Sequence, residues 1–563
     1  MQTYSGVGVT PGRVVGTVRR MPAPISAPAA GETLAAGVSA EEARASLKSA
    51  ALAVQAELRA RAGAASGDGK AVLEATALMA ADPMLLKAAG KLIAAGASTQ
   101  RAIWEAGDGV ASMLLNLGGY MAERSHDILD VRARIVAALR GVPAPGIPDA
   151  AEPFILVAED LAPADTATLN PALVTALVTS GGGPQSHTAI IARNLGLPAV
   201  VAARGVTALE DGTEIYVDAA AGTITVSPGE ELRLAAKAWA VQSSSLSAFD
   251  GAGRLADGTP VPLLANVGSA KDAVAAAAAG AQGVGLFRTE FLFLDRGTEP
   301  TGAEQEAAYR AVFDAFGGKK VVVRTLDAGA DKPLPFLTDA AEPNPALGVR
   351  GYRTELSSPG VLGRQLSAIA AAAGASTAEV WVMAPMISTA AEAADFAALC
   401  RTAGLRTPGV MIEVPSAALT SRHVLAQVSF ASLGTNDLTQ YTMAADRQLG
   451  PLAALNDPWQ PAVLALVAAT VAGTEPHGGT AVKNIGVCGE SAADPALAVV
   501  LVGLGVSTLS MSARSLAAVG AVLRTVTAEQ ARTLAGAALA AESAAGARAL
   551  VRAQLPILDT LGL

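Results

Sequence analysis

The stretch GGGPQSHTAIIARNLGLPAVV, residues 181–201, carries the signals from which the predicted fold follows. An apolar run at 176–178 precedes the stretch and predicts a strand, and three glycines then allow a tight turn. Ser186 is a suitable N-cap, so we predict a helix whose first turn contains His187. The Gly-Leu-Pro sequence ends that helix, and the final Ala-Val-Val run predicts the next strand.

Two roles are open to His187 at this position. The positive end of the helix dipole and the free N–H groups of the first turn would stabilise a phosphate carried on the imidazole. Glycine-rich turns before helices are common, however, so an exposed histidine beside a structural turn is the alternative. The stretch alone leaves both interpretations open.

Length and composition limit the classes of protein to which the chain can belong. Its 563 residues predict about two to four domains. The net charge of −9 and the lack of a basic cluster argue against a nucleic-acid partner. The first residues show no signal-peptide pattern and no apolar run reaches membrane-spanning length, so we expect no membrane partner. Two cysteines, Cys400 and Cys488, are too few for a disulfide framework, which is typical of a reduced, cytoplasmic protein.

The N-terminal half combines strand patterns with one long helical region. Strands are predicted at 4–9, 13–19, 153–158, 176–179, 199–202, 214–218 and 223–226. Between the second and third of these, residues 35–140 are rich in alanine and have apolar positions at helical spacing. We therefore predict one α/β domain, residues 1–34 and 141–228, with a helical bundle inserted at 35–140.

The inserted region contains an apolar patch formed by Leu78, Met79, Met84 and Leu85. Apolar stripes of this kind usually belong to the buried core of a bundle. A surface on which another protein docks is the alternative, and the sequence does not exclude it.

The C-terminal part of the chain repeats strand and helix. Eight apolar strand candidates lie at 261–267, 283–287, 320–325, 379–383, 409–414, 430–434, 485–489 and 508–512. Eight such alternations in about 310 residues predict a (β/α)₈ barrel, which we place at 255–563. Residues 229–254 contain a helical pattern followed by a Gln-Ser-rich stretch, and we predict a linker or hinge there. The predicted fold class is therefore α/β, with an N-terminal α/β domain that contains His187, an inserted helical bundle and a C-terminal barrel.

Charged and reactive residues follow the ends of the predicted barrel strands. They are Arg288, Glu290, Arg324, Asp327, Glu413, Asn436, Asp437, Cys488 and Glu490. The active sites of such barrels form at the C-terminal rim of the strands. We therefore expect the functional site of the barrel at this rim.

The rim residues indicate several kinds of chemistry. Glu413 and Asp437 are hard oxygen donors suited to Mg²⁺, although a pair of ordinary rim acids is the alternative. Cys488 could give or take a proton, whereas a buried cysteine is more often a small hydrophobe. Guanidinium groups could converge on a phosphate or carboxylate, with salt bridges as the alternative for some of them. The candidates for that role are Arg288, Arg324, Arg350 and Arg447, with Lys332 as an additional point charge.

Seven stretches together resemble one known family. They are residues 181–201 quoted above, GLFRTEFLF (285–293), VVVRTLDAGADKPLP (321–335), NPALGVRGYR (344–353), VMIEVPSA (410–417), SLGTNDLTQYTMAADR (432–447) and GVCGE (486–490). In order and spacing they are similar to the Enzyme I family of the bacterial phosphotransferase system, the phosphoenolpyruvate–protein phosphotransferases. The resemblance covers essentially the whole chain.

The resemblance implies a role for each matched residue. His187 would accept the phosphoryl group, Glu413 and Asp437 would bind Mg²⁺, and Cys488 would protonate the enolate to give pyruvate. Phosphoenolpyruvate would be held by Arg288, Arg324, Asn436 and Arg447, with Lys332 and Arg350 as further helpers. The insert would dock the phosphocarrier protein HPr, the barrel would form a homodimer, and the pathway would be sugar uptake.

The sequence departs from the family pattern at three places. Pro184 and Gln185 stand where the family usually has an arginine and a threonine, and Gln460 replaces the histidine of a His-Pro pair. No histidine lies near Met79, where some members carry one.

Three other functions compete with this interpretation. A dikinase of the same superfamily would need a nucleotide-binding domain, of which we find no motif. A non-catalytic phospho-signalling protein would leave the charged rim without a purpose. A barrel lyase acting on pyruvate-like acids would leave His187 without one.

Overall fold

The computed structural model describes most of the chain. Outside the description lie residues 1, 11, 23–24, 65–67, 118, 145, 149, 162–168, 184–185, 246–248, 295, 329–333, 335, 340–341, 448, 450–451, 453, 475–482 and 562, together with the side chains of 64, 68–72, 116–117, 119–124, 126, 187, 190, 194, 242 and 244–245. The described residues form two compact units. The first contains nearly all residues up to Arg233, and the second contains Leu234–Leu563.

An eight-stranded sheet is the centre of the first unit. Its strands are β1 (Thr3–Ser5), β2 (Val7–Thr10), β3 (Arg13–Arg20), β4 (Phe154–Ala158), β5 (Val174–Thr179), β6 (Ala199–Val201), β7 (Glu214–Asp218) and β8 (Thr223–Val226). They lie in the order β1-β8-β7-β3-β4-β5-β6-β2. Strands β3 to β6 are parallel to one another, whereas β1 pairs antiparallel with β8 and β2 pairs antiparallel with β6.

The strand predicted at 4–9 is in fact two strands, divided at Gly6. The two strands lie at opposite ends of the sheet order, so Gly6 connects one edge with the other. A Cβ atom at this position would lie 2.5 Å from the carbonyl oxygen of Val201. Only glycine therefore fits where the chain passes between the edges.

Five helices fill the stretch between β3 and β4. They are Ala40–Ala64, Asp68–Ala80, Pro83–Ala94, Thr99–Leu117 and Gly119–Arg140. Apolar residues three and four apart in the first of them, from Leu47 to Leu58, are at most 3% exposed. This face packs into one core with Ile93, Ile103 and Ile135 of the other helices, because an amphipathic helix is stabilised mainly by burial of its apolar side.

Two further helices, His187–Leu195 and Glu230–Ser245, belong to the part of the chain after β5. The first begins at His187, as the sequence predicts. The second extends through the Gln-Ser-rich residues that we expected to form linker. The predicted domain limits and the hinge at 229–254 stay predictions.

The second unit is a closed barrel of eight parallel strands, and this confirms the predicted fold class. The strands are β9 (Leu263–Val267), β10 (Val284–Arg288), β11 (Lys320–Arg324), β12 (Glu379–Ala384), β13 (Pro408–Ile412), β14 (Phe430–Gly434), β15 (Asn484–Cys488) and β16 (Thr508–Met511). Alternate residues along each strand point outward. Ala431 and Leu433 of β14, for example, join the core between the barrel and its helices.

Helices surround the barrel. They are Ala270–Ala278, Gly302–Asp314, Val361–Gly374, Ala390–Thr402, Pro415–Leu419, Ser421–Leu425, Thr435–Met443, Pro461–Ala472, Glu490–Ala493, Pro495–Gly503, Leu516–Leu523, Ala528–Leu539, Ala544–Arg552 and Ile557–Leu561. Capping boxes that begin at Thr301, Thr389 and Thr527 set three of their starts. None of the helices in the described part of the chain combines the length and apolar character needed to cross a bilayer.

A buried glutamine links the helices to the rim of the barrel. The Oε1 atom of Gln365 accepts a hydrogen bond of 2.9 Å from the backbone N–H of Leu326. Its Nε2 donates to the hydroxyls of Thr289 and Tyr309, at 3.1 Å each. Gln365 is 1% exposed, so no solvent replaces these partners if the amide is removed.

We predict that Gln365→Met lowers the free energy of unfolding of the barrel unit by about 2–3 kcal/mol, because buried polar groups lose their partner while volume is nearly kept. Urea unfolding followed by fluorescence would measure this change. The matched control is Gln427→Met at an exposed position, for which we expect a change within about 0.5 kcal/mol. Equal effects of the two substitutions would contradict the structural role of Gln365.

Candidate functional site

The predicted rim residues lie at the C-terminal ends of neighbouring barrel strands. Arg288 ends β10 and Arg324 ends β11, and the two are register partners. Glu413 directly follows β13, Asp437 lies in the first turn of the helix after β14, and Cys488 ends β15. The closed barrel therefore places these residues around one rim. Lys332 is outside the described residues.

Asn436 also belongs to this rim. A Cβ atom on Gly489, the residue after β15, would lie 3.4 Å from the Oδ1 atom of Asn436. Gly489 has φ +135°, a conformation that side chains disfavour, so glycine leaves the amide of Asn436 facing the end of β15.

Asp327 is the anion at the centre of a buried ion-pair network. Its two carboxylate oxygens accept hydrogen bonds from Nε and Nη2 of Arg350, at 3.2 and 2.8 Å. Nη1 of Arg324 lies 3.4 Å from the same carboxylate. Burial would raise the pKa of Asp327, but the two guanidinium groups outweigh this effect and lower the pKa to about 2. Asp327 is therefore a permanent negative charge.

The network continues to Asp437 through the same arginine. Nη1 of Arg350 donates to Oδ1 of Asp437 at 2.9 Å, and Nη1 of Arg447 donates to Oδ2 at 3.2 Å. Burial acts to lower the pKa of Arg350, but the charges of Asp327 and Asp437 outweigh it and hold that pKa above its usual value. Arg324 is similarly paired with Glu290, at 2.9 Å between Nη2 and Oε1.

Glu413 is in a different electrostatic position from the other rim acids. It is 1% exposed, and its Oε1 accepts a hydrogen bond of 2.7 Å from the backbone N–H of Met386, whose φ is +60°. Burial, together with the charges of Asp437 and Asp327, raises the pKa of Glu413 to about 8. A carboxylate in such surroundings favours a bound positive charge, either a proton or a cation.

The donor set beside Glu413 fits a hard cation. Gly434 has no side chain there, and a Cβ atom would lie 2.7 Å from Oε2 of Glu413, so the space beside this oxygen is kept open. Asp437 supplies a second carboxylate of the type that Mg²⁺ prefers. Among the described residues no group of three His, Cys, Asp or Glu side chains is arranged to hold a metal. Water or substrate oxygens would therefore complete the coordination.

Cys488 is a protonated thiol within the barrel. It is 3% exposed, and burial raises its pKa to about 11, so it retains its proton near neutral pH. The hydroxyl of Ser432 donates a hydrogen bond to Sγ at 3.3 Å. Cys400, by contrast, lies in a helix and packs in the apolar core around the barrel.

The start of the helix at His187 is fixed by the next residue. Thr188 is fully buried, and its hydroxyl donates to Oδ1 of Asp160 at 2.5 Å and accepts from the backbone N–H of Leu161 at 3.1 Å. The side chain of His187 lies outside the described atoms, as do Pro184 and Gln185. His187 belongs to the first unit and the rim to the second.

The apolar patch of the helical insert contains both buried side chains, as expected for bundle core, and exposed ones, as expected for a docking surface. Leu85 is fully buried, as expected for bundle core. Leu78 and Met84 are 64% and 49% exposed, so these two side chains are available for a contact with another protein. The patch therefore has a buried base and an exposed edge.

Three polar residues of the site were not assigned a role from the sequence. Asp327 was recognised only as a rim residue, although it holds two arginines. The hydroxyl of Tyr441 accepts from Arg350 at 3.3 Å and donates to the carbonyl of Ala346. In the sequence, Tyr441 could have been recognised because it lies one helical turn after Asp437. Ser432 could have been found because it precedes Gly434 by two residues, and alternate residues of a strand share a face.

Three family models match the chain. They describe the PEP-binding domain of PEP-utilising enzymes at residues 247–528, the mobile domain of these enzymes at 150–222 and their N-terminal domain at 5–124. These matches cover both units.

The names of similar proteins describe phosphoryl transfer. The phosphoenolpyruvate-protein phosphotransferase of Streptomyces coelicolor is 52% identical over 557 residues, which cover 98% of this chain and 99% of that protein. The protein of the same name from Haloferax volcanii is 40% identical over 489 residues, 84% of this chain and 85% of that protein. A multiphosphoryl transfer protein of Xanthomonas campestris pv. campestris is 38% identical over 563 residues, 97% of this chain and 66% of that protein.

We predict that Arg350→Met lowers the free energy of unfolding of the barrel unit by about 3–5 kcal/mol, because it leaves two buried carboxylates without their shared cation. Thermal and denaturant unfolding would measure the loss. Arg364→Met is the matched control, since Arg364 pairs with Glu299 at the surface with 55% of its side chain exposed. We expect this control to cost less than about 1 kcal/mol, and an equally small cost for Arg350→Met would contradict the network.

Proposed function

Because this chain belongs to the phosphoenolpyruvate-protein phosphotransferases, the Enzyme I family, we propose that it transfers the phosphoryl group of phosphoenolpyruvate to His187 and then to a histidine of HPr. In the bacterial phosphotransferase system this transfer is the first step of sugar uptake. The observation that carries the proposal is the near-complete alignment with a phosphotransferase in a chain whose barrel rim unites acids, arginines and a thiol. We also propose a cytoplasmic location and a homodimer formed through the barrel unit.

The charge balance of the rim supports binding of a polyanion together with a cation. Its cations are Arg288, Arg324, Arg350, Arg447 and Lys332, and its acids are Glu290, Asp327, Glu413, Asp437 and Glu490. With every acid ionised, as a cation bound at Glu413 requires, five positive charges meet five negative charges. The arginines offer donors for phosphate and carboxylate oxygens, with Asn436 as a further donor, but the net charge does not compensate a phosphoenolpyruvate anion.

Mg²⁺ would supply the missing charge. Glu413 and Asp437 would hold the ion, and when bound it would neutralise charge on the oxygens of the phosphoryl group and the enolate. Asp437 already accepts hydrogen bonds from Arg350 and Arg447, which orient its carboxylate for this role.

The reaction follows from the chemistry of the groups. A nitrogen of the His187 imidazole attacks phosphorus, the bond between phosphorus and the enol oxygen breaks, and its electron pair remains on that oxygen. The double bond of the enolate then takes the proton of the Cys488 thiol at carbon 3, which gives pyruvate and leaves a thiolate. Rim arginines stabilise negative charge as it moves.

The two groups that react belong to different compact units. His187 is part of the first unit, whereas Cys488 is part of the second. Phosphoryl transfer from a rim-bound substrate therefore requires the units to meet, and transfer to HPr requires His187 to become accessible again. We assign the hinge for this motion to the segment at 229–254.

Phosphoenolpyruvate labelled with ³²P in its phosphate, with Mg²⁺ and without nucleotide, should label the wild-type chain. The label should be acid-labile and removed by HPr, and His187→Ala should abolish it. His423→Ala is the matched control, because His423 is an exposed histidine of the barrel unit, and it should label normally. Label that requires ATP would favour a dikinase, and label that survives in His187→Ala would mean that another residue accepts the phosphate.

The exposed edge of the apolar patch is the proposed contact for HPr. We predict that Leu78→Glu with Met84→Glu slows phosphoryl transfer to HPr by about tenfold or more, because each charge would be desolvated in the contact. Labelling of His187 from phosphoenolpyruvate should stay within about twofold. Leu419→Glu, at a 70% exposed apolar position of the barrel unit, serves as control. A normal rate of transfer to HPr in the double variant would exclude this surface.

A further inference from the structure

The interior of the barrel has an apolar side and a polar side. The apolar side is formed by Leu286, Val322, Met383 and Met411. On β14 to β16 several inward positions are instead small or hydroxylated, although Phe430 and Cys488 also belong to the apolar side. The small or hydroxylated residues are Ser432, Gly486, Thr508 and Ser510, all of which line one cavity. A hydroxyl group buried in a barrel core lowers the stability of the fold unless it has a hydrogen-bond partner, so the partners of these hydroxyls are informative.

Ser510 and Ser432 have different partners within this polar side. Ser510 is 3% exposed and its hydroxyl donates to Oδ1 of Asn266 at 2.6 Å. Ser432 is 5% exposed and its hydroxyl donates to Sγ of Cys488 at 3.3 Å. The thiol in turn donates to the backbone carbonyl of Leu433, at 3.6 Å between sulfur and oxygen. The sulfur is therefore held from two sides, by one donor and one acceptor.

We propose that Ser432 is a positioning residue for the proton donor: its hydroxyl fixes the sulfur of Cys488 and stabilises the thiolate that remains after the thiol has protonated carbon 3 of the enolate. This inference rests on the proposed function, because it concerns the second half of that reaction.

The two hydrogen bonds of the sulfur favour different protonation states. The contact with the carbonyl of Leu433 exists only while the sulfur carries its proton. The hydroxyl of Ser432 can donate to the thiol and donates more strongly to the thiolate, since hydrogen bonds to charged acceptors are the stronger ones. Burial raises the pKa of Cys488, and the hydrogen bond from Ser432 acts in the opposite direction. Ser432 thus offsets part of the cost of leaving a charge on a buried sulfur.

The proton balance of the step is complete with water as the co-reactant. The S–H bond of Cys488 breaks and a C–H bond forms at carbon 3, with the electron pair supplied by the enolate. The thiolate later regains a proton from water, which restores the thiol of the resting enzyme, and the hydroxide that remains takes up the proton released by the phosphorylated imidazole. The cavity of about 20 Å³ below Ser432 has room for about one water molecule.

Gly486 keeps this cavity open. A Cβ atom on Gly486 would lie 2.8 Å from Oγ1 of Thr508 and 3.7 Å from Oγ of Ser432. Without that atom, the oxygen of Ser432 can accept a hydrogen bond from water in the cavity while its own proton stays directed at the sulfur.

The test separates phosphoryl transfer from proton transfer in a single turnover. Rapid quench with ³²P-labelled phosphoenolpyruvate measures phosphohistidine, and lactate dehydrogenase measures the keto form of pyruvate. For Ser432→Ala we expect phosphohistidine formation within about twofold of wild type. Ketone formation should slow about ten- to hundredfold, with a larger solvent deuterium isotope effect, because a hydrogen bond to a charged group is lost.

Ser510→Ala is the matched control. It removes the same hydroxyl group from the same barrel interior but does not touch the thiol, so both rates should stay within about twofold of wild type. Cys488→Ala gives the rate of ketone formation that remains when the proton donor is absent. Thermal unfolding of both serine variants reports whether the barrel is intact, and Ser432→Thr, which restores a hydroxyl, should recover ketone formation.

The possible failures are distinguishable. If ketone formation keeps pace in Ser432→Ala but lags in Cys488→Ala, the positioning role is overturned and the proposed function stands. If it keeps pace in both variants, Cys488 is not the donor and the role of Ser432 falls with it. If the wild-type chain forms no phosphohistidine from phosphoenolpyruvate, the proposed function and this inference are both overturned.

Discussion

Arg350 lies between two buried carboxylates, Asp327 and Asp437, and donates hydrogen bonds to both. A charge in a barrel interior is tolerated only when opposite charges and hydrogen bonds replace the water that it has lost. The two acids come from different parts of the rim, one after β11 and one after β14, so the arginine joins strands that are not neighbours. The position of each acid therefore depends on the other through their shared cation.

The same two acids also orient other residues of the rim. Arg447 shares Asp437 with Arg350, and Arg324 shares Asp327 with it. Groups that are already oriented by neighbours need little rearrangement when a charged substrate arrives, and such preorganisation is the main electrostatic contribution to catalysis. Glu413 differs from these acids, because its Oε1 accepts a hydrogen bond from the backbone N–H of Met386 and its Oε2 faces the space left by Gly434. The rim thus combines acids that are paired with arginines and a carboxylate, Glu413, that is suited to an added cation together with Asp437.

Strong local patterns allowed the barrel to be predicted closely. The eight strands lie within a few residues of their predicted limits, since short apolar runs bounded by helices leave little freedom for another assignment. The rim residues were recognisable because they follow strand ends. The contacts of Asp327, Tyr441 and Ser432 were not predictable, because they depend on loops and on facing strands far apart in sequence. The same holds for Gly6, whose role arises only when Val201 is in place.

The order of strands in the first sheet has a consequence for synthesis of the chain. Strand β1 pairs with β8 and strand β2 with β6, so these two strands find their partners only when roughly 200 further residues have been synthesised. At typical rates of translation this interval is about 10–40 s. The five helices after β3 emerge within that time and have a core of their own. Strands β1 and β2 therefore remain unpaired for longer than the other strands of this sheet, and they are the natural targets of a chaperone that shields newly made strands.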